Sequence, residues 1–531
     1  MFKVTSASER ANASPTVSLE KGHYRMRAPP RRPPTLIFQE EVGPAPRRQH
    51  QDVSRNITLL LLLLAAATLS CFGAAYYLFA TRWALRIVTS DSSETNASYQ
   101  ANATVLIDRP QITPHEKYLS YLPHSGFHNQ RIAFENAVVL AFALRRTLLV
   151  PPIRLANKPI RYVEFDTLVQ HHELSSKEGL QHCPQVASYL SRPLECLGYF
   201  ESSYLPWSWL VNSSTPAGRL PVIQLPNVSQ RWLSENFALK ETDIYKLKDR
   251  SPYQFRFLDT KASTPTTSNR YAQDVYFSDL TTINARLLQL GTLFGTSRLR
   301  LKDPTNLAYQ RTVRQSMLFT NQNLSQVADS IAISLGGYFL AVHIRIGDGY
   351  FKTEAELTIR LIWLSLLQDV LGFSAAETCR LQSKFSGLGD FNCTKEFICP
   401  GNCSLLTTVS NFPFPMPRVT CRFSRHREGL YELLNIPLYV ATDLRHPQSN
   451  HALRLLRRTF PCIFFLMDFP QPLRQLDSVK SPYDDVRLQP FLLPFIDAMV
   501  AGKALAFVGT QGSTFSKFVT TLWHLHHGLP S

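Results

Sequence analysis

The 531-residue chain contains no Asp-x-Asp sequence and no G-x-x-x-x-G-K-S/T loop. The first absence removes the usual carboxylate pair that holds a divalent metal on a diphosphate, and the second removes the phosphate-cradling P-loop. The adjacent pair Asp484-Asp485 faces opposite ways if extended, so it supplies no substitute. Acidic side chains are also in deficit. Forty Asp and Glu stand against 56 Lys and Arg, a formal charge of +16, which favours phosphate-bearing or acidic ligands without identifying them. No internal repeat is visible, and nine cysteines in a chain of this length do not make a small disulfide scaffold.

With 44% hydrophobic residues, the chain can build one large domain or two of ordinary size. One stretch stands apart: "ITLLLLLLAAATLSCFGAAYYLFA", Ile57 to Ala80, runs without a charge. At 1.5 Å per residue it is long enough for a hydrocarbon core of roughly 30 Å, so the expectation is a single transmembrane helix over 57–80. The preceding tail holds ten Lys/Arg and five Asp/Glu, with Arg47, Arg48 and Arg55 close to the span, whereas Arg82 and Arg86 beyond it are offset by Asp91 and Glu94. That asymmetry places the N-terminus in the cytosol and the remainder in a lumen, with nucleic acid excluded as a partner.

Two further features agree with a lumenal part. Seven N-x-S/T sequons follow the span, at Asn96, Asn102, Asn212, Asn227, Asn323, Asn392 and Asn402. The cysteines beyond Cys71 form an even set of eight, as disulfides require; Cys393, Cys399 and Cys403 have a spacing open to zinc, but two of them sit inside sequons.

The expected organisation follows from composition. Residues 1–55 are Pro/Arg-rich and read as a disordered basic tail; 81–115 reads as a lumenal stem. From Lys117 on, strand and helix patterns alternate. "TLLVPP" (147–152), "YFLAVHIRI" (338–346), "IPLYVA" (436–441), "CIFFLM" (462–467) and "ALAFVG" (504–509) read as strands, with helices between them, and Arg145-Arg146 as cations at the end of the first helix. This pattern predicts two Rossmann-like units of parallel sheet, over 116–335 and 336–531, with a cysteine-rich insertion at about 375–426.

In such sheets ligands collect at the carboxyl ends of strands and at helix N-termini. Four loops fit. "HSGFHNQR" offers Gly126 for close backbone approach and Asn129, Gln130 and Arg131 as donors, the alternative being a plain polar cap. "AVHIRIGDGYF" puts His343 and Arg345 on one face of a strand before the Gly347-Asp348-Gly349 turn; Arg345 can fork onto a phosphate or pair with Asp348. "YVATDLRHP" brings Asp443 and Arg445 to a strand end. "FVGTQGSTFSKF" leads through Gly509 and Gly512 into Ser513, Thr514, Phe515 and Ser516 at a helix start, either a phosphate cradle or ordinary N-caps.

"HSGFHNQR", "HIRIGD", "ATD" and "FVGTQGSTFS", in that order behind one membrane anchor, resemble the GDP-fucose protein O-fucosyltransferase superfamily, and its fungal membrane-anchored members in particular. The resemblance covers about 117–152, 336–351 and 436–520. It implies a GT-B-like α/β fold, two Rossmann-like domains facing a cleft, and an inverting transfer of fucose from GDP-fucose to a protein or glycan hydroxyl without metal or other cofactor. It implies Arg345 as the catalytic residue on the GDP phosphates, and Asn129 as the first-domain residue lining the cleft. Gly126, His128, Gln130, His343, Asp348, Asp443, Arg445 and Ser513 to Ser516 are the further expected substrate contacts. A Golgi or endoplasmic-reticulum membrane is the expected location. The first loop contains no Asp or Glu to deprotonate an acceptor, which leaves His124 or His128 as a base, or the leaving diphosphate itself. Another nucleotide sugar as donor, or a non-catalytic lectin-like or scaffold protein of the same fold, are the competing readings.

Overall fold

The computed structural model describes residues 18–19, 22–23, 61–73, 115–187, 189–211, 220–226, 229–261, 270–347, 349–386, 403–405 and 417–529. The chain divides into two units, Met1–Ala101 and Asn102–Ser531. In the first, Ser18–Leu19 pairs antiparallel with Gly22–His23, and an exposed helix covers 61–73. That helix is the described part of the expected 57–80 span; the remainder of the span lies outside the described residues, and among those described no helix is long and apolar enough to cross a membrane.

The second unit opens with strand β1 (Tyr118–Tyr121), helix α1 (Phe127–Leu144), β2 (Thr147–Val150), β3 (Ile153–Ala156), β4 (Ser202–Leu205), β5 (Val222–Gln224), β6 (Ile244–Leu247) and β7 (Leu287–Leu290). Five of these strands form an all-parallel sheet in the order β5-β2-β1-β7-β6. The β3–β4 pair is a separate antiparallel ribbon. Helix α1 is apolar nearly all round because it is buried nearly all round, as a helix covering a parallel sheet must be. It stops where Arg145 turns left-handed, at φ 52°.

Arg146 departs from its sequence reading. It does not sit with the helix dipole; it is 2% exposed and donates to the carbonyls of Tyr118, Ile283 and Ala285, pegging β1 to the chain entering β7. A buried guanidinium is tolerable only with such a set of acceptors.

A second sheet follows, from β8 (Leu340–Ile344), β9 (Cys403–Leu405), β10 (Leu438–Thr442), β11 (Ile463–Phe465) and β12 (Ala506–Gly509), in the order β9-β12-β8-β10-β11. All pairs are parallel except β9 with β12. Side chains alternate cleanly. Leu340, Val342 and Ile344 enter one apolar cluster with Trp363, while Ala341, Tyr439, Ala441 and Phe507 enter the cluster that also contains Leu119, Trp207 and Phe495. That second cluster includes residues of both sheets, and it fixes the face on which His343 lies.

Helices α2 (Gln489–Gly502) and α3 (Thr514–His526) complete this part. The helix Ala375–Ser386, expected within the insertion, instead buries Leu381 in the core of the second sheet, where its apolar face has a partner. Disulfides join Cys183 to Cys196 and Cys421 to Cys462, and Cys379 is also disulfide-bonded. Cys393 and Cys399 lie outside the described residues, as do the sequons other than Asn323, which is exposed in the first turn of the helix Gln322–Ser334.

Candidate functional site

The chemistry-bearing loops gather at the carboxyl end of β8. His343, on β8, is 4% exposed, with Nδ1 2.7 Å from Ser516 Oγ and its ring stacked on Phe515 at 4.3 Å. Burial, with the nearby Arg345 charge, lowers its pKa to about 3, so it is a neutral ring that orients its neighbours. Arg345 follows two residues on. Its backbone N–H donates to Thr510 Oγ1 at 3.0 Å, and its guanidinium carbon lies 4.8 Å from the centre of the Phe351 ring. Thr510 Oγ1 in turn donates to the His343 carbonyl at 2.9 Å, so one hydroxyl ties the end of β12 to the end of β8.

Asp443, at the end of β10, takes a different role from that expected. Its carboxylate accepts from the backbone N–H groups of Ile346 and Gly347, each at 3.0 Å, bracing the loop that carries Arg345. A Cβ at Gly347 would lie 2.8 Å from Asp443 Oδ2, so any side chain there would displace the carboxylate from its present position. Arg445 is exposed. Asp348 lies outside the described residues.

The start of α3 has the expected cap. Ser513 is fully buried and its Oγ accepts from Ser516 N at 3.3 Å; Thr514 and Phe515 follow as its first helical residues, half-buried. A Cβ on Gly509 would come within 2.6 Å of Ser516 Cβ, so glycine lets α3 pack directly against the end of β12.

The opening loop splits into framework and free surface. His124 is 5% exposed, with its ring nitrogens 2.7 Å from Ser125 Oγ and 2.6 Å from Thr292 Oγ1; burial, Arg298 and His172 lower its pKa to about 3. With both nitrogens engaged, His124 is a structural residue and not a base. Gln130 is likewise consumed, donating to the Ser125 and Arg154 carbonyls and accepting from Arg154 N. Arg131 pairs with Glu135 and lies over Phe518 at 4.8 Å. These residues hold the loop on β3 and α3.

Gly126 is exposed and His128 half-buried, and both border a cavity. A Cβ at Gly126 would meet no atom within 4 Å. His128 packs against Phe515 and Phe518 at 5.2 and 5.0 Å, and its buried Nδ1 has no hydrogen-bond partner. Burial first, then the Arg131, His343 and Arg345 charges, hold the imidazole neutral. Asn129 is half-buried in the first turn of α1. A cavity of about 230 Å³ is lined by Ser125 to His128, by Arg154 to Asn157, by the first turns of α2 and by Phe515. Thr510, Arg154 and Phe495 were not singled out by sequence; Thr510 stood in the quoted "FVGTQGS" run, whereas Arg154 and Phe495 had no local signal.

Among the described residues, His182, Cys183 and Cys196 are close enough together to suggest a metal site, but the two thiols are joined as a disulfide.

Residues 118–357 match the family model described as GDP-fucose protein O-fucosyltransferase. O-fucosyltransferase 30 of Arabidopsis thaliana is 55% identical over 38 residues, 7% of this chain and 8% of the relative's length. Among solved structures, POFUT1 in complex with GDP-fucose is 14% identical at a TM-score of 0.32, covering 78% of this chain and 96% of that one. POFUT1 with GDP is 15% identical at 0.33, covering 79% and 97%. At those scores neither structural likeness carries weight for the fold. The match over 118–357, just under half of the chain, takes in the opening loop, β8 and Arg345, and over that stretch the chain is similar to the GDP-fucose protein O-fucosyltransferase family.

Proposed function

We infer that the protein is a glycosyltransferase that moves fucose from GDP-fucose to a hydroxyl of a protein or glycan, with inversion and without a metal. The observation that carries this reading is the convergence of Arg345, the Ser513-capped start of α3 and Phe515, stacked on His343 and met edge-on by His128, at the end of a parallel strand. As the anomeric bond lengthens, negative charge builds on the β-phosphate. Arg345, on a loop braced by Asp443 and Thr510, meets that charge with little reorganisation, and the α3 N-terminus adds its dipole. Asn129 lies with the sugar, and the cavity beside Gly126 admits the acceptor. The departing diphosphate is the group that takes the acceptor proton, because His128, the histidine beside the cavity, has a buried Nδ1 and a basicity lowered by burial and the neighbouring arginines.

The two sheets, one from strands up to 290 and one from strands after 340, support a GT-B-like arrangement of two Rossmann-like domains. The charge-free run 57–80, the sequons and the disulfides Cys183–Cys196 and Cys421–Cys462 support a single-pass Golgi or endoplasmic-reticulum protein with its C-terminal part lumenal.

Calorimetric titration of the purified protein with GDP, GDP-fucose and UDP-sugars in chelator, beside Arg345→Ala, tests the reading. GDP-fucose binding that is lost in the variant is the expected result. Absence of any nucleotide binding by a folded sample overturns it in favour of a lectin-like or scaffold protein.

A further inference from the structure

Asp484, which sequence left as half of an unassigned acidic pair, is 8% exposed, whereas Asp485 is exposed at φ 54° and pairs with Lys480 at 2.8 Å. Asp484 Oδ2 takes the Lys177 ammonium at 2.6 Å, and Oδ1 accepts from Ser203 Oγ at 2.9 Å. Its carbonyl accepts from Tyr199 OH at 2.9 Å, and Ser481 Oγ of the same turn donates to the Tyr204 carbonyl at 2.7 Å. Lys177 also lies 4.3 Å from the centre of the Tyr199 ring and donates to the Ser202 carbonyl. Both charged side chains are less than a tenth exposed.

The partners connect two separate pieces of chain. Ser203 and Tyr204 are on β4, whose antiparallel neighbour β3 pairs Leu155 with Ser203 and Arg154 with Tyr204. Arg154 and Leu155 line the cavity. The turn 481–486 leads through Leu488, the N-cap of α2, and Pro490 and Phe491 at the start of α2 line the same cavity. One ion pair with its hydrogen bonds therefore joins the ribbon forming one wall to the turn that launches the other.

We propose that Lys177 and Asp484 form a clasp that sets the width of the cavity, making both positioning residues for the reaction. A buried pair of this kind adds little net stability over a well-packed apolar substitute, but removing one partner leaves an uncompensated charge and frees both segments. Its loss is therefore expected to lower stability as well as to loosen the geometry, and only the second effect distinguishes a clasp from an ordinary buried pair. Arg345, the Asp443 brace on its loop and the start of α3 are not among the clasp's partners, so nucleotide affinity is expected to be independent of it. The functional half of this inference rests on the transferase reading; the geometric half does not.

The test uses the full chain with Cys71→Ser and spin labels at Lys158→Cys and Arg487→Cys, exposed positions on either side of the cavity outside its lining. Asp484→Asn is expected to broaden the distance distribution between the labels, leave GDP affinity within about twofold, and cut the rate of GDP-fucose hydrolysis about tenfold. Lys177→Arg, which keeps the pair, is expected to recover most of the hydrolysis. If Asp484→Asn does not fold, Ser481→Ala gives the same readouts in smaller degree. An unchanged distance distribution, with only a lower melting temperature, overturns the clasp. A broadened distribution in a protein that binds no GDP sustains the clasp and removes the transferase reading instead.

Discussion

His343 Nδ1 and Ser516 Oγ lie 2.7 Å apart inside the protein, joining the strand that carries Arg345 to the first turn of α3. Ser516→Ala leaves a buried ring nitrogen without that partner, at a cost of about 1–3 kcal/mol. Urea unfolding should show the loss. GDP affinity should fall with it, because Phe515, stacked on the same ring, is no longer held in place.

Arg345→Ala is expected to lower turnover of GDP-fucose by about 10²–10³, equivalent to roughly 3–4 kcal/mol of barrier, with little change in melting temperature. Arg345→Lys should recover only a small part, since an ammonium cannot reproduce a planar fork on phosphate oxygens. Steady-state rates with either variant at wild-type levels would remove Arg345 from the chemistry.

Gly347→Ala tests the brace on the Arg345 loop. The new methyl would lie 2.8 Å from Asp443 Oδ2, so the carboxylate must move and release the Ile346 and Gly347 amides. Calorimetry should show weaker GDP binding. Asp443→Asn, which keeps one acceptor oxygen, should show a smaller loss.

Stability should fall on acidification. Burial lowers His124 and His343 to about 3, His172 to about 4, and His128 in the same direction. These rings are neutral when folded and protonate near 6.5 when unfolded, so below that pH the unfolded chain binds more protons and gains. Asp249 and Asp497, raised by burial to about 6 and about 7, act oppositely. With His526 also lowered by burial, the histidines outnumber the two carboxyls, and the net effect is a loss of stability as pH falls below about 6. Denaturation midpoints at pH 7.5, 6 and 5 check this; a midpoint that does not fall would contradict neutral buried imidazoles.

The parallel strands were legible because continuous apolar runs ended in glycine or polar loops; "YFLAVHIRI" contains β8 with its boundaries a residue or two inside the run. The face shared by His343 and Arg345 followed from period two alone. What could not be read was how many polar side chains the framework itself would consume. Gln130 and His124 look like ligand groups in "HSGFHNQR", but their partners, Arg154 and Thr292, are contributed by other elements of the chain. Asp443 was placed at the right strand end, but its bracing of the Arg345 loop could not be read, since its amide partners belong to a loop almost a hundred positions earlier. The role of Asp484 depended on contacts with β4 that no local pattern encodes.

β12 lies against β8, though it is among the last strands added to the growing chain. On a ribosome, Arg345 emerges long before Ser513 and Phe515, and until those residues arrive β8 lacks a neighbour on that side. The nucleotide site proposed above is therefore incomplete while the chain is being made. A chain terminated before α3 would keep Arg345 and Asp443 and lack the Ser513-capped helix start.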